Sequence, residues 1–77
     1  LSFSDEISET MMMGMRLNEG INLIKFKNKF GKTIYEIFNN EIKKLTNLNL
    51  IELSETHIKL SSKGRLLGNE VFQEFII

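Results

Sequence analysis

The sequence predicts a small α+β domain, mostly helical, with three helices followed by a β-hairpin and a closing helix. Three observations carry that reading. Apolar residues recur at helical spacing in three separate stretches. One short region instead alternates apolar and polar residues on either side of a turn. Capping residues stand where each periodic stretch begins.

The first stretch opens with Ser4, Asp5 and Glu6. Ser4 or Asp5 is suited to cap the free N–H groups, and the acids suit the positive end of the helix. Ile7, Met11 and Met15 then share one face, widened by Met12 and Met13. The period ends near Arg16 or Leu17, where Asn18-Glu19-Gly20 is turn chemistry. Asn22 begins a short second helix, Leu23 to Phe30, with Ile21 and Phe26 placed as a hydrophobic staple and Gly31 as a left-handed stop. Thr33 with Glu36 forms a capping box for the third helix. Its apolar face is Ile34, Ile37, Phe38, Ile42 and Leu45.

Thr46-Asn47-Leu48-Asn49 breaks the helical period. Ile51 and Leu53 alternate about Glu52, and Ile58 and Leu60 about Lys59, with Ser54-Glu55-Thr56 between the two runs. Ser61 caps a last helix running from Ser62 to about Phe75, on which Leu67, Val71 and Phe75 share a face, with Leu66 and Phe72 beside them. Gly64 and Gly68, four apart, offer room for another backbone to approach. Short helix, tight turn, longer helix and two-stranded wing together describe a winged-helix-like domain, a fold that hosts DNA readers, protein-contact modules and accessory domains of enzymes.

At 77 residues the chain holds one domain, residues 1–77, and has a modest core. It contains no cysteine, so it can form no disulfide, thiolate metal site or iron–sulfur cluster from its own residues. That composition fits a reducing cytoplasm. No apolar run reaches the roughly 20 residues of a membrane span. No basic-then-apolar signal segment opens the chain. The first residue is Leu1 rather than methionine, which suggests a piece of a longer protein. Lysine plus arginine equal aspartate plus glutamate, and a neutral balance disfavours nucleic acid as a partner.

The residues offer no catalytic constellation. His57 is the single histidine, without a companion ligand, and reads as a wing residue rather than a metal or heme ligand. Met11, Met12, Met13 and Met15 read as core filling, with Met12 or Met13 free to face a neighbouring domain. Lys25, Lys27, Lys29 and Lys32 form the one basic cluster. The polar face of the third helix, Tyr35, Glu36, Asn39, Asn40, Glu41, Lys43 and Lys44, is mixed rather than basic, which suits a solvated face better than a DNA reader. Glu70 and Glu74 are like charges on one helix face, not an acid–base pair. Arg16, at the break of an apolar helix, and Arg65 with Asn69 are placed to bind carboxylates or carbonyls of a neighbouring domain. The alternative, which the sequence favours slightly, is that both arginines cap helix ends within the chain itself.

The order of several segments resembles the C-terminal domain of the oxygen-independent coproporphyrinogen III oxidase family. From about Glu9 onward these are Met15-Arg16-Leu17, Gly20-Ile21, Phe30-Gly31, Glu41-Ile42-Lys43-Lys44-Leu45, Lys63-Gly64-Arg65-Leu66-Leu67 and Asn69-Glu70-Val71-Phe72. Each is common alone, and their order and spacing carry the likeness. The closing Asn69-Glu70-Val71-Phe72 favours the heme-chaperone branch over the true oxidase. The resemblance implies a non-catalytic accessory domain of a radical S-adenosylmethionine protein. Such a domain would pack on an N-terminal barrel of the same polypeptide and help shape a porphyrin or heme site. The parent's 4Fe-4S cluster and S-adenosylmethionine would then be held by a Cys-x-x-x-Cys-x-x-Cys barrel absent here, and this chain would bind neither cofactor nor metal. The alternative is a winged-helix DNA-binding or protein-interaction module.

Overall fold

A computed structural model describes residues 3–76 of the chain. The elements are α1 (Phe3–Met15), β1 (Ile21–Asn22), α2 (Leu23–Phe30), α3 (Ile34–Asn47), β2 (Ile51–Leu53), β3 (His57–Leu60), α4 (Ser62–Leu66) and α5 (Gly68–Glu74). They make a mostly helical α+β domain around one small antiparallel sheet, as expected.

Three of the expected caps are in place. Asn22 accepts a hydrogen bond from the Lys25 N–H, Thr33 from Glu36 and Ser61 from Gly64. Gly31 ends α2 in the left-handed conformation, with its N–H bonded to the Lys27 carbonyl. The start of α1 differs from expectation. Ser4 and Asp5 lie inside the helix, which already includes Phe3, so neither is its cap.

The hairpin β2–β3 pairs Ile51 with Leu60, Glu52 with Lys59 and Leu53 with Ile58, with Ser54-Glu55-Thr56 as the connection. The Ser54 hydroxyl sits inside that turn and accepts from the His57 N–H at 3.0 Å. A third strand, not anticipated from the sequence, lies on the other side of β3. Ile21 and Asn22 pair with Ile58 and His57, giving the order β1-β3-β2. Two residues are too short for an alternating pattern to show. Their pairing is set by Gly20, whose positive φ of 78° turns the chain against the Ile58 carbonyl.

The core joins apolar faces from the helices and the sheet, including Phe26 and Phe30 of α2. Ile7, Met11 and Met15 from α1 are buried with Ile34, Phe38, Ile42 and Leu45 from α3, Ile58 from β3, and Val71 and Phe75 from α5. Phe38 and Phe75 meet edge to face at 5.0 Å between centroids. Phe38 also marks a kink in α3, with φ −121° and ψ 36°, that the periodicity did not foretell. Leu53 departs from the expected alternation: it shares a face with Ile51 but is exposed. It stands at the turn end of the hairpin, beyond the packed helices, against the outer side of α3 near Tyr35 and Ile42.

The last helix is the main correction. It is two helices, broken at Leu67 with φ −113° and ψ 32°. Gly64 is buried hard against the Leu50 carbonyl, so α4 is seated on the stem of the hairpin. Val71 and Phe75 must reach the core beside α1 and α3. One straight helix cannot satisfy both anchors, and the break rotates Leu67 out of the apolar face on which the sequence places it. Gly68, the second glycine of the expected pair, meets no other backbone; its nearest neighbour is the Phe72 ring.

A candidate ligand groove at the α4–α5 break

The break at Leu67 creates an open groove of about 560 Å³. Its lining joins parts of the chain far apart in sequence. Arg16 reaches it from the residue after α1, Leu60 from the end of β3, Arg65 from α4, and Asn69 and Phe72 from α5. All three residues that the sequence marks for inter-domain contact, Arg16, Arg65 and Asn69, therefore line one depression. Arg65 and Asn69 do so from two helices rather than from one continuous helical face.

Arg16 is held over the ring of Phe72, with its guanidinium carbon 5.4 Å from the centroid. Such a contact is worth roughly 0.5–1 kcal/mol at an exposed site. It restricts the arm of Arg16 while leaving its N–H donors open. Among the described residues, neither the Arg16 nor the Arg65 guanidinium has a hydrogen-bond or ion-pair partner. The reading in which both arginines cap helix ends inside the domain is thus not what the fold does. Beyond Met15 the chain turns through backbone bonds instead, Leu17 N–H to Gly14 and Gly20 N–H to Leu17.

The remaining lining is apolar apart from Glu70. Leu66 is 86% exposed and Leu67 is 37% exposed, although the sequence places both on or beside the buried face of a helix. Phe72 is half-buried and packs against the core. Two planar cationic forks beside leucine and phenylalanine surface suit a ligand with anionic oxygens on an apolar body. The one carboxylate there, Glu70, is exposed and leaves the two cations in excess. The leucines were missed because their exposure follows from the break. The one sequence signal was Leu66-Leu67, adjacent apolar residues of which a single helix can bury only part.

The other marked residues do not assemble a site. His57 is half-buried on β3, with Nδ1 2.8 Å from the Thr56 hydroxyl. Among the described residues, no group of three or more His, Cys, Asp or Glu side chains could hold a metal ion. On α3, Lys44 is committed to Glu74 at 3.1 Å, so the mixed polar face loses one of its cations to an ion pair. In the lysine cluster, Lys29 lies 3.4 Å from the Thr10 hydroxyl and over the Phe30 ring. Met11 and Met15 are fully buried, whereas Met13 is 63% exposed, as expected for a residue free to face a neighbour. Among the described residues, no helix is long and apolar enough to cross a membrane.

Fold and groove define a small α+β domain with a depression lined by two arginines together with leucine and phenylalanine. Comparison with known proteins places it further. The HemN C-terminal domain family matches residues 1–67, and the chain belongs to that family. Its curated relatives include the heme chaperone HemW of Bacillus subtilis (strain 168), 36% identical over 72 residues, which are 94% of this chain and 19% of the relative. They also include the heme chaperone HemW of Lactococcus lactis subsp. lactis (strain IL1403), 34% identical over 77 residues, which are 100% of this chain and 20% of the relative. The chain thus spans about a fifth of the length of the curated relatives it matches. No solved structure is a significant match.

Proposed function

We propose that this chain is the non-catalytic C-terminal accessory domain of a heme-chaperone-like radical S-adenosylmethionine protein of the cytoplasm. In this reading it packs on the N-terminal barrel of the same polypeptide and helps shape the heme or porphyrin site. The supporting observation is the groove at the α4–α5 break. It sets two guanidiniums without a hydrogen-bond or ion-pair partner among the described residues beside exposed leucine, a face suited to being covered. The curated relatives, both heme chaperones about five times as long as this chain, supply the partner class. With no cysteine here, this chain supplies no thiolate to a 4Fe-4S cluster, which in this reading the barrel holds together with its S-adenosylmethionine. A winged-helix DNA reader is less well supported, because the outward face of α3 is mixed in charge and Lys44 on it is paired.

The test is hydroxyl-radical footprinting of Leu66, Leu67 and Phe72 in the full-length protein, with and without hemin. Protection relative to the isolated domain, deepened by hemin, is the expected result. Labelling as strong as in the isolated domain, in both states, overturns the reading.

A further inference from the structure

We propose that the groove recognises the ionised carboxylate side arms of a tetrapyrrole, through Arg16 and Arg65, while its leucines lie against the flat ring. This inference rests on the accessory-domain reading above and deepens it by naming the ligand group that the site takes.

The chemistry is legible in the lining. A heme is a flat apolar macrocycle carrying carboxylate arms. A protein that accepts it needs apolar surface for the ring and fixed cations at its edge. Leu66 and Leu67 supply apolar surface that the domain core does not use. Arg16 and Arg65 supply the cations, and each guanidinium fork can form paired N–H···O bonds to one carboxylate. Asn69 adds an amide donor on the same lining. The Phe72 ring under Arg16 pre-orients that fork, so less side-chain freedom is lost on binding. The chain as a whole is neutral, so the excess of cations in the groove is local rather than a reflection of a basic protein.

A competing use of the same forks is to grip a carboxylate of the barrel. The two uses separate experimentally, because heme carboxylates can be esterified while those of the barrel stay unchanged. The full-length protein is titrated with hemin and with hemin dimethyl ester, following the Soret band, as wild type, Arg16→Ala, Arg65→Gln and the double variant. Both positions are exposed, and circular dichroism checks that the variants stay folded. The wild type is expected to bind hemin about tenfold or more tightly than the ester. Each variant should lose about tenfold for hemin and little for the ester, so that the double variant no longer distinguishes the two. Equal wild-type affinity for hemin and ester overturns this inference and leaves the accessory-domain reading standing. Equal losses for both ligands in the variants also overturn it, and assign the arginines to the barrel. No saturable hemin binding by the wild type overturns this inference together with the heme part of the function on which it rests.

Discussion

Gly64→Ala is expected to be among the most damaging single-methyl changes available in this chain. A methyl group on Gly64 would fall 1.9 Å from the Leu50 carbonyl oxygen, 2.9 Å from the Leu50 carbonyl carbon and 3.3 Å from Leu60 Cδ2. The first two atoms are backbone, at the point where α3 hands over to the hairpin. To restore even 3.0 Å to the oxygen, α4 must retreat by about 1.1 Å. The same oxygen accepts the Ser61 N–H at 3.1 Å, and the Ser61 hydroxyl accepts the Gly64 N–H at 2.9 Å. Retreat therefore strains the cap of α4 as well as the packing. Overpacking of this kind costs about 1–3 kcal/mol, and a weakened cap about 1 more. A domain of this length has about 4–12 kcal/mol in total. The expected loss of 2–4 kcal/mol lowers the melting temperature by roughly 10–30 °C. Thermal unfolding followed by circular dichroism at 222 nm measures it, with Gly68→Ala as the internal control. At Gly68 the added methyl meets nothing closer than the Phe72 ring at 3.5 Å, so the control should be neutral or stabilising by up to about 1 kcal/mol. Equal melting temperatures for Gly64→Ala and wild type would refute the claim that α4 is seated on the Leu50 carbonyl.

Two further outcomes follow from the same packing. Thr33→Ala removes the acceptor for the Glu36 N–H and should cost about 1 kcal/mol in urea unfolding, while Thr33→Ser should retain most of the stability. Phe75→Ala opens a void beside Phe38 at a fully buried site and should cost about 3–5 kcal/mol, enough to leave a substantial unfolded fraction visible as lost amide dispersion in NMR.

Much of the architecture was legible because local chemistry and burial agree. Asn22, Thr33 and Ser61 each bond the N–H three residues on, a contact that needs only a short stretch of chain. Ile34, Phe38, Ile42 and Leu45 repeat at helical spacing, and all are buried. Gly31 and the hairpin turn at Ser54-Glu55-Thr56 also belong to this local class. The family resemblance rests on order and spacing along the chain, and the family match over residues 1–67 bears it out.

The candidate site was only half legible. Arg16, Arg65 and Asn69 stood out in the sequence as polar residues in apolar surroundings. Nothing in the spacing says that residue 16 lies beside residues 65 and 69. The sequence by itself determined the starts of α2, α3 and α4, the place of the hairpin and the buried face of α3, because hydrogen bonds over three or four residues and side-chain periodicity set them. Only the tertiary structure decided that Ile21 and Asn22 would form a strand, since pairing two residues with β3 depends on a partner more than thirty residues away. It also decided the break at Leu67. There, Gly64 held against the Leu50 carbonyl and Phe75 held beside Phe38 make incompatible demands on one straight helix. The groove exists because that conflict is resolved by bending the chain, which turns Leu66 and Leu67 outward beside Arg16.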